Sequence, residues 1–322
     1  MKDLKKYIKE GLFDDLDKLD GKSGLDVQDK QLKKDIIDWI CLNYYTDLYC
    51  AKSKLLKKRS VKVDTSTSPP TVTITSPFPI YFKWGKNLNN NGMFQWGNMS
   101  DSFVSLSPVL NTLDGAPKKV DGIFSCHHSV VESLEGGPEE VNEFKFKSSC
   151  LKNLKGMPKV KKHIVVVSES LTSLEGAPKE VEGDFSCSYC LSLKSLKGCP
   201  EKVRGSFSCN SCTSLTSLKD CPKEVGGDFS CEYCHSLKTL EGCPKEVEGR
   251  FNCSFCNSLE TLEGCPEKIK GDFYCRFCAS LKTLEDCPEE VGGNFYINFN
   301  NYLREIDYIP KKIRKKIIDS NH

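Results

Sequence analysis

The sequence contains no run of 18 apolar residues, which excludes a membrane-spanning helix. Its first twenty residues, MKDLKKYIKEGLFDDLDKLD, have no apolar centre and carry charges throughout, so they do not read as a secretory leader. No charge of one sign prevails. Lys and Arg number 46 against 44 Asp and Glu, a net charge of +2, whereas a protein that coats nucleic acid needs a marked cationic surplus. Histidine is scarce: of the five, only His127 and His128 are neighbours, and His163, His235 and His322 are scattered. The G-x-x-x-x-G-K-[ST], H-E-x-x-H and G-x-S-x-G motifs are all missing. The expectation is therefore a protein that is not an enzyme and holds no cofactor. Disorder throughout is also excluded, because 38% of the residues are hydrophobic and 28% charged, enough apolar material for a core. A length of 322 residues corresponds to about two domains.

What the chain has in quantity is cysteine, 19 residues, and a repeat accounts for most of it. Cys187, Cys209, Cys231, Cys253 and Cys275 are 22 residues apart, as are Cys190, Cys212, Cys234, Cys256 and Cys278, and again Cys199, Cys221, Cys243, Cys265 and Cys287. The same period carries Phe185, Phe207, Phe229, Phe251, Phe273 and Phe295, with paired leucines such as Leu193/Leu196 and Leu281/Leu284. One proline closes each unit, from Pro117 through Pro138, Pro158, Pro178 and Pro200 to Pro310, which counts about ten rungs. In a strand successive side chains point to opposite faces. Phe185 and Cys187 are thus expected inside, and Asp184, Ser186 and Ser188 outside. A single unit cannot bury its own apolar face, but stacked rungs about 4.8 Å apart can. A second placement, with the strand on the Leu193–Leu196 arm, stays open.

These residues resemble the leucine-rich repeat family, L-x-x-L-x-L-x-x-N/C-x-L. Phe185 and Cys187 match the alternating apolar pair, Cys190 the Asn/Cys ladder position and Leu193 and Leu196 the next apolar pair, while Val203 covers the back. The resemblance covers roughly residues 105–312. The C-x-S-L-x-S-L wording is similar to bacterial BspA-like repeats, and residues 173–185 resemble repeats of large-phage and bacterial proteins. The resemblance implies an α+β repeat protein with a parallel-sheet solenoid of the leucine-rich type, a concave binding face and a protein partner. It also implies a viral or bacterial source, the partner then being a host protein.

The ends read differently. Leu4, Ile8 and Leu12 recur with helical spacing, a second helix is expected over about 28–45 and a third over about 46–58. Thr71–Thr75 alternates as a strand, and Ile80–Trp84 and Met93–Trp96 flank Asn89–Gly92 as a hairpin with a long loop. Ser66–Pro70 reads as a linker, and the strands are expected to cap the first rung. The division is then 1–60 helical, 61–104 β cap, 105–312 solenoid and 313–322 a basic cap that includes Ile313 and Ile317.

Candidate contacts follow from the outward positions. Arg250, Tyr274, Arg276 and Tyr296 supply the residue types that dominate binding energy at interfaces. Tyr189, Tyr233, Phe255 and Phe277, continued by Phe299, precede the ladder position and form an aromatic stripe, read either as a seal on the sheet edge or as a partner-facing strip. Two other classes stay open. The five C-x-x-C pairs are also zinc-site language, against reduced thiols packed as small hydrophobes. Two basic clusters, Lys52–Lys62 and Lys311–Lys316, could touch phosphates. With no leader read, the expectation is a cytoplasmic, reducing setting, where disulfides are rare.

Overall fold

The computed structural model describes residues 31–33, 35–36, 44–45, 60–64, 66–75, 80–82, 95–99, 102–298, 300 and 317–318. The expected first and third helices, the Lys311–Lys316 cluster and Phe299 lie outside these residues, as does most of the Lys52–Lys62 cluster. Of the second helix, 31–33 and 35–36 are helical and Ile36 is buried, but Tyr44–Tyr45 is a strand. Among the described residues the class is mostly β, not α+β. Two-residue strands and tight turns fill each repeat and leave no room for a helix.

The chain divides into two compact units, 1–146 with 156–159, and 147–155 with 160–322. Each is a parallel-strand β-solenoid; in unit 2 the Phe positions lie in one sheet and the Val positions in two short ones, while in unit 1 the paired strands belong to one sheet. Together they hold about nine turns. The tenth proline, Pro310, falls outside the described residues.

In unit 2 the Phe sheet runs from Ile164–Val167 through Phe185–Ser186, Phe207–Ser208, Phe229–Ser230, Phe251–Asn252, Phe273–Tyr274 and Phe295–Tyr296 to Ile317–Ile318. All pairings are parallel and in register, Phe185↔Phe207, Phe207↔Phe229, Phe229↔Phe251 and onward. The expected strand placement holds, and the Leu193–Leu196 arm carries no strand. Phe, both C-x-x-C sulfurs and both leucines of each turn are fully buried. Neighbouring rings stack, Phe185 on Phe207 with centroids 6.1 Å apart and Phe229 on Phe251 at 5.2 Å. A buried ring contributes about 1.5–3 kcal/mol, so the stack is the main cohesive element of each turn. The valines, read from the sequence as back cover, form sheets of their own: Glu180–Val181, Lys202–Val203 and Glu224–Val225, then Glu246–Val247, Lys268–Ile269 and Glu290–Val291.

Unit 1 builds its cap from two runs of paired strands that meet on one long strand. Thr71–Thr75 pairs parallel with Gln95–Met99, which pairs with Val120 of the long strand Lys119–Ser129. Ile80–Phe82 pairs with Phe103–Ser105, which pairs with Phe124–Cys126 of that same strand. The expected hairpin around Asn89–Gly92 is therefore corrected, since its two arms lie in different pairings. The hairpin of this region joins Ser60–Asp64 to Thr71–Thr75, and the presumed linker Ser66–Pro70 is its turn. Asp64 makes that turn by accepting hydrogen bonds from Ser66 N at 2.9 Å and Ser66 Oγ at 2.6 Å.

Candidate protein-binding surface

The outer face of the unit 2 Phe sheet is set by what lies beneath it. After each Phe-x-Cys the backbone takes a left-handed residue and turns inward to the ladder position. Tyr189 (φ 62°), Ser211 (59°), Tyr233 (59°), Phe255 (62°) and Phe277 (56°) all occupy it. Each ladder cysteine then donates its thiol to the carbonyl of the Cys one turn back: Cys212 to Cys187 O at 3.2 Å, Cys234 to Cys209 O at 3.2 Å, Cys256 to Cys231 O at 3.2 Å and Cys278 to Cys253 O at 3.3 Å. At the flanking turns other donors serve. Asn300 Nδ2 donates to Cys275 O at 2.8 Å, whereas the buried Ser168 Oγ donates to a different carbonyl, Leu151 O, at 2.8 Å. Sequence reasoning found the ladder cysteines but missed the asparagine, because it searched for one residue type where the geometry asks only for a short donor.

This hydrogen bonding gives the C-x-x-C pairs a structural task. Seventeen cysteines among the described residues are unbridged. Among the described residues no three His, Cys, Asp or Glu side chains are grouped to hold a metal ion. Burial holds the Cys126 thiol far above its usual range and pushes Cys221 up to about 12.

The left-handed side chains face outward. Tyr233, Phe255 and Phe277 form a continuous stack, with centroids 4.4 and 4.6 Å apart and planes within 11°. Tyr233 is 40% and Phe277 37% exposed, and Phe255 is half-buried. Tyr189 is the most open at 59%, but Ser211 interrupts the column between it and Tyr233. His235, which the sequence did not mark, meets the Tyr233 ring edge-on at 6.2 Å.

Beside this column stands the second predicted cluster. Tyr274 and Tyr296 stack at 4.6 Å, and the Arg276 guanidinium lies over both rings, 5.3 and 4.2 Å from their centroids. Asp272 accepts from Tyr274 Oη at 3.0 Å and from Asn294 N at 2.7 Å, and Asn294 Nδ2 donates to Tyr296 Oη at 3.2 Å. Partial burial and then the Asp272 carboxylate raise the Tyr274 phenol above its ordinary value, so it stays a hydrogen-bond donor at neutral pH. Arg250 is exposed one turn back, where its N donates to Asp228 Oδ1 at 2.7 Å. The aspartates of this face are thus brackets between turns, a role the sequence reading had given only as polar surface. Among the described residues no helix is long and apolar enough to cross a membrane. No protein-family model, curated protein or solved structure matches the chain.

Proposed function

We propose that this chain is a non-enzymatic recognition module that grips a protein partner with the outer face of its C-terminal turns. The Tyr233–Phe255–Phe277 column and the Arg276–Tyr274–Tyr296 cluster are its anchors. The observation that carries this reading is the backbone under the column. A left-handed residue with a Cβ costs roughly 1–2 kcal/mol, and Gly or Asn fills such a site more cheaply. Bulky rings exposed there, turn after turn, work against stability, and strain of this kind gathers where function retains it. Stacked rings held by the solenoid lose little side-chain freedom on binding, which suits them as anchors. The repeat wording supports kinship with leucine-rich repeat proteins of bacterial or viral origin, and the unbridged thiols support a reducing, cytoplasmic setting.

The test replaces the column by Tyr233→Asn/Phe255→Asn/Phe277→Asn. The variant should melt at or above the wild-type temperature yet lose the proteins that wild type retains in affinity capture. Retention of the same proteins by the folded variant, and by Arg276→Ala, would discard this surface.

A further inference from the structure

In unit 2 two charged columns on the Val-sheet strands mostly alternate in sign from turn to turn. Glu267 against Glu289 is a like pair in one column only, its neighbours Lys268 and Glu290 being opposite, and the strands there pair normally. Lys179 meets Glu201, with Nζ 3.6 Å from the carboxylate, and Lys202 pairs with Glu224. Beyond, Lys245 meets Glu267 at 3.0 Å, Glu246 meets Lys268 at 3.3 Å and Glu248 meets Lys270 at 2.5 Å. Between these two runs the alternation slips. Lys223 faces Lys245 and Glu224 faces Glu246 across one turn boundary, like against like in both columns.

The Val sheet is broken at that same boundary. Glu180–Val181, Lys202–Val203 and Glu224–Val225 form one sheet, and Glu246–Val247 begins another. Glu248 N reaches Val225 O only at 3.5 Å, whereas the equivalent bonds on either side, Gly226 N to Val203 O and Lys270 N to Val247 O, are 2.9 and 3.0 Å. A cleft of about 680 Å³ runs over this face from Lys202 and Arg204 of the preceding turn across the boundary to Cys243 and Glu246. Gly226 does not explain the break, because Gly292 at the same position of a paired strand donates to Ile269 O at 2.7 Å. On the opposite side the Phe sheet crosses the boundary intact, with Phe229 N donating to Arg250 O at 2.8 Å and Cys231 N to Asn252 O at 2.9 Å.

We propose that this boundary is a built-in parting plane, a wedge that opens on the Val side, pivots on the Phe sheet and is held ajar by the slip in charge register. Like charges directly opposite on paired strands destabilise the pairing, and here two such pairs act on one two-residue ladder. The Tyr233–Phe255 contact spans the pivot, so the wedge sets the angle between the first ring of the column and the other two.

The sign of the salt response tests this independently of any partner. Repulsion is screened in 1 M NaCl, where the Debye length is about 3 Å. Amide exchange at 245–248 should slow several-fold between 0.05 and 1 M NaCl, while exchange at 201–204 and 267–270 stays level or quickens. Two deletions of one whole turn give a second readout. Removing 223–244 sets Lys245 beside Glu201 and Glu246 beside Lys202, and should bring 245–248 to the protection of its neighbours. Removing 201–222 sets Lys223 beside Lys179 and Glu224 beside Glu180, and should create a second unprotected boundary. The same salt response at all three boundaries, or matching exchange maps for the two deletions, would overturn the proposal.

Discussion

Alkaline pH should unfold this protein within a narrow window, because many of its core thiols cannot ionise in place, although hydrogen bonding to neighbouring thiols lowers Cys212 and Cys278. Hydrogen bonding to a neighbouring thiol, and then burial, hold Cys187, Cys190, Cys209 and Cys231 well above the ordinary value of 9.0. For Cys126, Cys221, Cys253 and Cys287 burial leads, reaching about 12 at Cys221 and about 11 at Cys287. The unfolded chain releases these protons near pH 9 while the folded one keeps them. Stability is therefore fully present below pH 9 and is withdrawn as pH rises through and beyond it. Each such thiol costs the fold about 0.4 kcal/mol at pH 9 and about 1.4 kcal/mol at pH 10. For six thiols whose shift is led by burial, Cys126, Cys199, Cys221, Cys243, Cys265 and Cys287, that is about 2.5 and about 8.5 kcal/mol, against a total stability of about 5–15 kcal/mol for a typical domain. Far-UV circular dichroism followed from pH 7 to 11, with a phosphine reductant present to prevent oxidation, should show loss of structure centred between pH 9 and 10. A cooperative melt persisting at pH 10.5 would refute the picture of thiols sealed in an apolar core.

The two cysteines of one C-x-x-C pair should respond oppositely to the same substitutions. At Cys234, Ser keeps a donor for Cys209 O and should be better tolerated than Ala, which leaves that carbonyl only the longer bond from Cys212 N at 3.4 Å and costs about 1 kcal/mol; at the core-facing Cys231, Ala should be the better of the two, as urea melts of the four variants would show. Phe229→Ala removes a ring packed between Phe207 and Phe251, at 5.1 and 5.2 Å, and should cost about 3–5 kcal/mol in the same assay. Turn positions with positive φ give a further pair. A Cβ on Gly176 would stand 2.3 Å from the Leu154 carbonyl, so Gly176→Ala should lower the melting temperature sharply, whereas Asp220→Gly, at φ 67°, should raise stability by up to about 1 kcal/mol.

The sequence by itself determined the turn. A period of 22 residues with Phe, two Cys and two Leu at fixed places can bury its apolar side only by stacking, so inward Phe185 and Cys187 followed from spacing, while the ladder position of Cys190 came from the resemblance to leucine-rich repeats. The anchor candidates Tyr233, Phe255, Phe277, Tyr274, Arg276 and Tyr296 were legible for the same reason, as outward positions of that period. The Val sheet was not, because a two-residue strand is too short to show alternation. The cap hairpin was misplaced because partner choice there depends on pairing between distant segments, which turn signals near Asn89–Gly92 do not encode. Tertiary structure alone decided the left-handed backbone beneath the aromatic column and the interchangeable donors, Cys234 and Asn300, on one ladder. It also gave the charged columns their meaning. Lys223 and Lys245 stand 22 residues apart along the chain, and only the coil of the backbone brings two such charges face to face, where Coulomb repulsion acts over one strand spacing.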